Sequence, residues 1–151
     1  MPDEAEPNCV GLETLGLRME RLCGNALELA EFLKSLHEIP DVSYPGLTDN
    51  PYHGLIETQM NGGMGGAILT IRAGSKEKAF RLINGLKYAR IATNIGDVRT
   101  LVIHPASTIY IHSTAEQKQS AGVYEDSIRV SVGLEDIEDL KADFAQAIEK
   151  I

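Results

Sequence analysis

Hydrophobic positions in the first third of the chain follow a helical period. Leu12, Leu15, Met19, Leu22, Ala26, Leu29, Leu33 and Leu36 recur at alternating spacings of three and four, which lines them along one stripe of a long helix beginning near Gly11. The same spacing is a heptad seam. Leu17, Cys23, Leu27 and Ala30 widen the stripe, however, and Gly16 and Gly24 each cost about 1 kcal/mol relative to alanine inside a helix, so the pattern predicts a docking helix of a globular domain rather than a coiled coil. Pro40 ends it, and Val42-Ser43-Tyr44 before Pro45-Gly46 predicts a short strand running into a turn.

Thr48 to Gly66 is polar and glycine-rich and reads as a loop leading into the buried strand Ala67–Ile71. Its glycines precede a strand and match no phosphate-binding frame, which would sit between a strand and a helix. Ser75 caps a helix carrying Ala79, Phe80, Ile83 and Leu86 on one face and running to about Tyr88 or Ala89. Thr93-Asn94-Ile95-Gly96-Asp97 predicts a turn with positive φ at its glycine, followed by a buried strand, Val98 to Ile103, closed by His104-Pro105. Thr114 to Gln117 has the form of a capping box for a short helix ending near Gly122. In the last strand Ile128, Val130 and Val132 alternate with Arg129, Ser131 and Gly133, so one face is buried and an arginine stands on the other. A final helix opens on Glu135, Asp136, Glu138 and Asp139, which suit the positive end of its dipole, and buries Ile137, Leu140, Phe144 and Ile148. The order is helix, strand, strand, helix, strand, short helix, strand, helix. Without regular β-α-β crossovers, it predicts an α/β protein of the α+β type: a small, mostly antiparallel open sheet with helices on one side.

Composition narrows the function classes. At 151 residues and 43% hydrophobic content the chain builds one core, residues 11–151, preceded by residues 1–10, whose two prolines and three acids read as a disordered or adaptor-like start. A net charge of −8 disfavours nucleic acid and anionic membrane as partners, and no apolar run approaches the roughly 20 residues that span a bilayer. Small molecules or proteins remain as partners, and a cytoplasmic location is expected. Cys9 and Cys23 form no disulfide framework, and Cys23 is expected as a buried helical thiol; the four histidines lack metal-ligand spacing. Ser107 and His112 lack the turn that exposes a hydrolase nucleophile, and the terminal acids serve the helix dipole rather than paired-carboxylate chemistry.

Arg129 is the chemically pointed residue. An arginine inside an Ile/Val strand needs anionic company or a wet cleft to offset its desolvation. One outcome is an internal salt bridge, for example to Asp97; the other is a bidentate clamp on a ligand carboxylate, which guanidinium geometry suits. Periodicity leaves both open.

Three segments carry a resemblance. Gly11-Leu-Glu-Thr-Leu-Gly-Leu-Arg-Met-Glu-Arg21 with Asn25-Ala26, then Ala92-Thr-Asn-Ile-Gly-Asp97 with Thr100-Leu-Val-Ile-His-Pro-Ala-Ser107, and Ile128-Arg-Val-Ser-Val-Gly-Leu-Glu135 resemble, in order, the C-terminal domain of Cys/Met-metabolism (transsulfuration) enzymes dependent on pyridoxal phosphate (PLP). The likeness is greatest to O-acetylhomoserine sulfhydrylase and methionine γ-lyase members. It implies an antiparallel sheet with outer helices, as in the C-terminal domain of fold-type I PLP enzymes. It also implies that Arg129 grips the substrate's α-carboxylate while the backbone at Asn94 and Ile95 orients it. Thr108-Ile109-Tyr110 departs from the Thr-Thr-His more usual in the family. In that family the cofactor lysine, its partner acid and the phosphate donors belong to an N-terminal PLP-binding domain, which lies outside these residues. None of the seven lysines here stands at a corresponding position, so no covalent PLP is expected on this chain. The resemblance therefore implies either the substrate-carboxylate half of a sulfhydrylase, inactive alone and completed by a PLP domain, or a non-catalytic module that binds amino acids or docks to a full-length relative. A homo-oligomer is compatible with both.

Overall fold

Five short strands, β1 (Asp41–Ser43), β2 (Ile68–Arg72), β3 (Arg90–Ile91), β4 (Leu101–Ile103) and β5 (Ser127–Ser131), form one open sheet in the order β1-β2-β5-β4-β3. This is a computed structural model, and it describes residues 2–151, with side chains from Asn8 onward. The β1–β2, β2–β5 and β5–β4 pairings are antiparallel and only β3–β4 is parallel, as the irregular element order predicts. Among the described residues there are also six α-helices: α1 (Pro2–Glu13), α2 (Leu15–Lys34), α3 (His53–Gln59), α4 (Lys76–Gly85), α5 (Ala115–Ser120) and α6 (Ile137–Ile148).

The core lies on one face of the sheet. Leu69 and Ile71 of β2, Val102 of β4 and Ile128 and Val130 of β5 meet Leu29 and Leu33 of α2, Leu82 of α4, and Leu140 and Phe144 of α6, all fully buried. Local signals set these elements as expected. The Ser75 hydroxyl accepts from Lys78 N at the start of α4, Thr114 and Gln117 close a reciprocal capping box on α5, and Asp136 accepts from Glu138 N on α6. Cys23 is buried on α2, and burial pushes its thiol pKa up.

Several expectations are corrected. The backbone of Pro2–Glu13 is helical, and a proline in the first turn lacks only a donor that has no intrahelical partner there. The apolar stripe is buried only from Leu22 onward: Leu12, Leu15 and Leu17 are exposed. Residues 48–66 are not all loop. They contain α3, anchored by Ile56, and a short 3-10 turn at Asn61–Gly63. α4 stops at Gly85 rather than Tyr88 or Ala89 because the buried carboxylate of Asp143 accepts from the backbone N–H groups of Lys87 and Tyr88 at 2.8 and 2.9 Å, and a weaker bond from Ala89 turns the chain into β3. The strand expected at Val98 begins only at Leu101, and Val98 is exposed.

Candidate carboxylate-binding site

The face of the sheet away from the helices is polar. In β5 the alternation that sends Ile128 and Val130 into the core turns Ser127, Arg129 and Ser131 the other way, and the register sets Arg129 between Thr70 of β2 and Ile103 of β4. Loops rather than helices cover this face, so Ser127 and Ser131 are buried although they point away from the core.

Arg129 is held by one of these loops. Its Nη2 donates to the carbonyls of Thr93 at 2.8 Å and Asn94 at 3.1 Å, while Nε is buried without a hydrogen-bond partner. Among the described residues no carboxylate lies within ion-pair distance of Arg129, and Asp97 instead accepts from Arg99 N at 3.0 Å within its own turn. The internal salt bridge is therefore not formed. The free fork is not formed either: with Nη2 engaged by the loop, Nε and Nη1 carry the N–H groups left for an incoming acceptor. A buried donor without an acceptor costs on the order of 1–3 kcal/mol, which favours any ligand that supplies one. Burial pulls the guanidinium pKa below the ordinary arginine value, yet arginine stays charged at any physiological pH.

Asn94 and Ile95 sit beside Arg129 in different ways. Asn94 touches it through its carbonyl, and Ile95 is 59% exposed and makes no hydrogen bond to it. The turn is set from below. Gly96, at φ +74°, donates its N–H to Ser131 Oγ at 3.2 Å, so two outward residues of β5 hold the loop at two points.

The far end of that loop is fastened by a hydroxyl and an acid that lie 35 residues apart in the sequence. Thr100 donates from its backbone N to Glu135 Oε1 at 2.6 Å and from Oγ1 to Glu135 Oε2 at 2.9 Å, and its Oγ1 accepts from Gly133 N at 2.9 Å. Asn25 Nδ2 reaches from α2 to the carbonyls of Gly133 and Glu135, both at 2.9 Å. These are residues of the three segments that carry the family resemblance. Their periodicity gave no hint of this role, since the partners are distant in sequence.

Arg129, Thr70 and Ser127 line a cavity of about 270 Å³ whose walls are Pro105, Ile109 and Tyr110 on one side and Ala121 to Val123 on the other. His104 pins the first wall: Nε2 donates to Glu125 O at 2.7 Å, which leaves Nδ1 to accept from the Ser107 hydroxyl at 2.8 Å. Ser107 is thus a local anchor. A wider polar trough of about 550 Å³ shares Thr70, Ser127, Ala121 and Gly122 with this cavity and continues past Arg72 and Tyr124. A separate, more apolar hollow of about 430 Å³ lies between α2 and the glycine-rich segment; its charged lining residue is the acid Glu20, so it suits a carboxylate poorly. Among the described residues no three His, Cys, Asp or Glu side chains gather as a metal site, and no helix is long and apolar enough to cross a membrane.

The family model for Cys/Met metabolism PLP-dependent enzymes matches residues 2–149. The chain belongs to this family. Homocysteine synthase of Schizosaccharomyces pombe is 45% identical over 139 residues, covering 92% of this chain and 32% of that protein. O-acetyl-L-homoserine sulfhydrylase of Leptospira meyeri is 43% identical over 142 residues, covering 93% of this chain and 32% of its own length. Among solved structures, an O-acetylhomoserine (thiol)-lyase of Campylobacter jejuni, containing N'-pyridoxyl-lysine-5'-monophosphate, superposes with a TM-score of 0.90 at 40% identity, covering 92% of this chain and 33% of that one. The chain thus spans about a third of the length of the relatives it matches. The fold-type I expectation for the sheet and its helices holds.

The cofactor of these relatives needs a lysine, and no lysine lines the Arg129 cavity. Lys76 and Lys118 pair with Glu125, Lys141 with Glu28 and Glu138, Lys34 with Asp49, and Lys150 bonds Gln146. Lys78 and Lys87 are exposed on and just after α4. The residues present do not fit a PLP held covalently beside Arg129 by this chain alone.

Proposed function

We propose that these residues are the substrate-carboxylate half of an O-acetylhomoserine sulfhydrylase-type enzyme, corresponding to its C-terminal domain. The observation that carries this reading is Arg129, half-buried on the outward face of β5, with a buried Nε that lacks an acceptor and no carboxylate in reach among the described residues, in a chain of this family. The guanidinium holds the α-carboxylate of an O-acylated homoserine, and the Asn94–Ile95 backbone, tied to Arg129 and Ser131, sets its orientation. A PLP-binding domain elsewhere supplies the lysine, and PLP held there provides the electron sink for carbon–sulfur replacement. Alone, the chain is inactive.

Co-expressed with the N-terminal two-thirds of the Leptospira meyeri sulfhydrylase, the wild-type chain restores turnover and Arg129→Ala does not. Equal turnover from both would overturn the role of Arg129. Titration with PLP followed by borohydride reduction and peptide mapping yields no single-lysine adduct; a saturable one-to-one adduct would move the cofactor site onto this chain.

A second reading is a non-catalytic amino-acid-binding or oligomerising module that docks to a full-length relative. It is favoured by the exposed Ile95, Val98, Ile109 and Ile111 on the loops around Arg129, a surface suited to being covered by protein. Altered activity of a full-length relative on mixing, without any restored turnover in the truncated one, would select it.

A further inference from the structure

Tyr110 stands in the wall of the Arg129 cavity, and its hydroxyl has no hydrogen-bond partner among the described residues. Its backbone is well held: the N–H donates to Pro105 O at 3.0 Å and the carbonyl accepts from Ser113 N at 3.1 Å. The segment in turn is pinned through His104 to the residue before Asp126. The backbone that carries the ring is thus set by the fold.

The rest of the lining contains one charged group, Arg129. Arg72, two residues along β2 from Thr70, is already neutralised by Asp126 at 2.8 Å and lies 4.0 Å over the Tyr124 ring. A ligand whose carboxylate sits on Arg129 therefore finds no second cation in the cavity. Its other walls are the apolar Ile109, Pro105 and Val123 and the hydroxyl-bearing residues Thr70, Ser127 and Tyr110. Ser127 Oγ already accepts from Tyr124 N at 3.1 Å. At about 270 Å³ the cavity lies just under the roughly 300–1,000 Å³ usual for small-molecule sites, which suits an amino acid with a short tail.

We infer that Tyr110 is a specificity-determining residue of this site, its phenol donating to a neutral acceptor at the far end of the ligand, the ester carbonyl of an O-acyl amino acid. The inference rests on the reading of Arg129 as the carboxylate anchor. The tyrosine offers a donor with reach and without charge.

Two probes separate the claims: O-acetyl-L-homoserine, which has the ester, and L-2-aminobutyrate, which has the same amino-acid head without it. Both are titrated into the isotope-labelled 151-residue chain by NMR, following the Arg129 Nε–H signal and the Tyr110 ring. Tyr110→Phe, nearly isosteric, should weaken O-acetyl-L-homoserine about fivefold to tenfold, the worth of one neutral hydrogen bond, while changing L-2-aminobutyrate by less than about twofold. Unchanged affinity for the ester, or equal weakening of both probes, would overturn the role of Tyr110 and leave Arg129 standing. If Arg129→Ala bound both probes as the wild type does, the carboxylate reading itself would fail. No binding of either probe to the wild-type chain would overturn both.

Discussion

The two faces of β5 are built from the same five residues by opposite rules. On the helix side Ile128 and Val130 are closed over by α2, α4 and α6 within the hydrophobic core. On the other side Ser127, Arg129 and Ser131 are covered by loops through hydrogen bonds to backbone groups, and one donor is left without an acceptor. The first arrangement gains stability from area removed from water, which is indifferent to direction. The second holds directional groups in place, at the cost of an incompletely satisfied guanidinium, and such incompleteness is where a ligand gains its advantage.

The largest test of this contrast falls on the helix face. Phe144→Ala empties the centre of the core and should cost about 3–5 kcal/mol in a denaturant melt. A loss near zero would mean that α6 does not close the sheet. Gly133→Ala comes next. A Cβ there would stand 2.5 Å from the Arg99 carbonyl carbon and the Thr100 nitrogen, so the junction between β5 and the site loop must shift, for about 1–3 kcal/mol. Amide exchange should quicken at Gly96, whose N–H bonds Ser131, and stay unchanged at Val130 in the ladder. Uniform quickening would show that the two faces are not separable.

The third test uses pH on the helix side. Tyr44 is buried with its hydroxyl donating to Gly66 O at 2.8 Å, and burial pushes its phenol well up from the ordinary value near 10. Cys23 is raised for the same reason. In each case the folded state holds the proton longer than the unfolded chain, so the stabilisation is full below the unfolded pKa and fades as pH rises from about 9 upward. Tyr44→Phe should flatten that decline above pH 10, as followed by thermal melts. The smallest expected effect belongs to Arg129→Ala. Removing a side chain that is neither ion-paired nor part of the core should change stability by less than about 1 kcal/mol, while the loop it holds becomes more exchange-labile. Global unfolding would make Arg129 a structural strut and dissolve the contrast.

Much of the helix side was legible from sequence. The stripe from Leu22 to Leu33, the caps at Ser75 and Thr114, the acids that open α6 and the alternation in β5 all depend on neighbours a few residues away. The site was only half legible. Alternation put Arg129 on the outward face, and the resemblance supplied a carboxylate role with Asn94 and Ile95 beside it. The contacts that hold it were not visible: the Thr93 carbonyl, Ser131 under Gly96, and the Thr100–Glu135 fastening reached by Asn25 join residues 35 to 110 positions apart. Tyr110 was visible as a departure from the family pattern, but not as part of the cavity.

The sequence by itself determined which segments are helix or strand in the core, which face of β5 is apolar, and the family to which the chain belongs. These follow from periodicity, capping chemistry and short quoted motifs. Only the tertiary structure decided that Arg90–Ile91 pairs in parallel beside β4, that Asp143 stops α4, that Asp97 leaves Arg129 without an ion pair, and that Tyr110 meets Arg129 across one cavity. The physical reason is range: local propensity is a near-neighbour property, whereas the acceptor a half-buried guanidinium finds depends on which distant backbone carbonyls the fold brings to it.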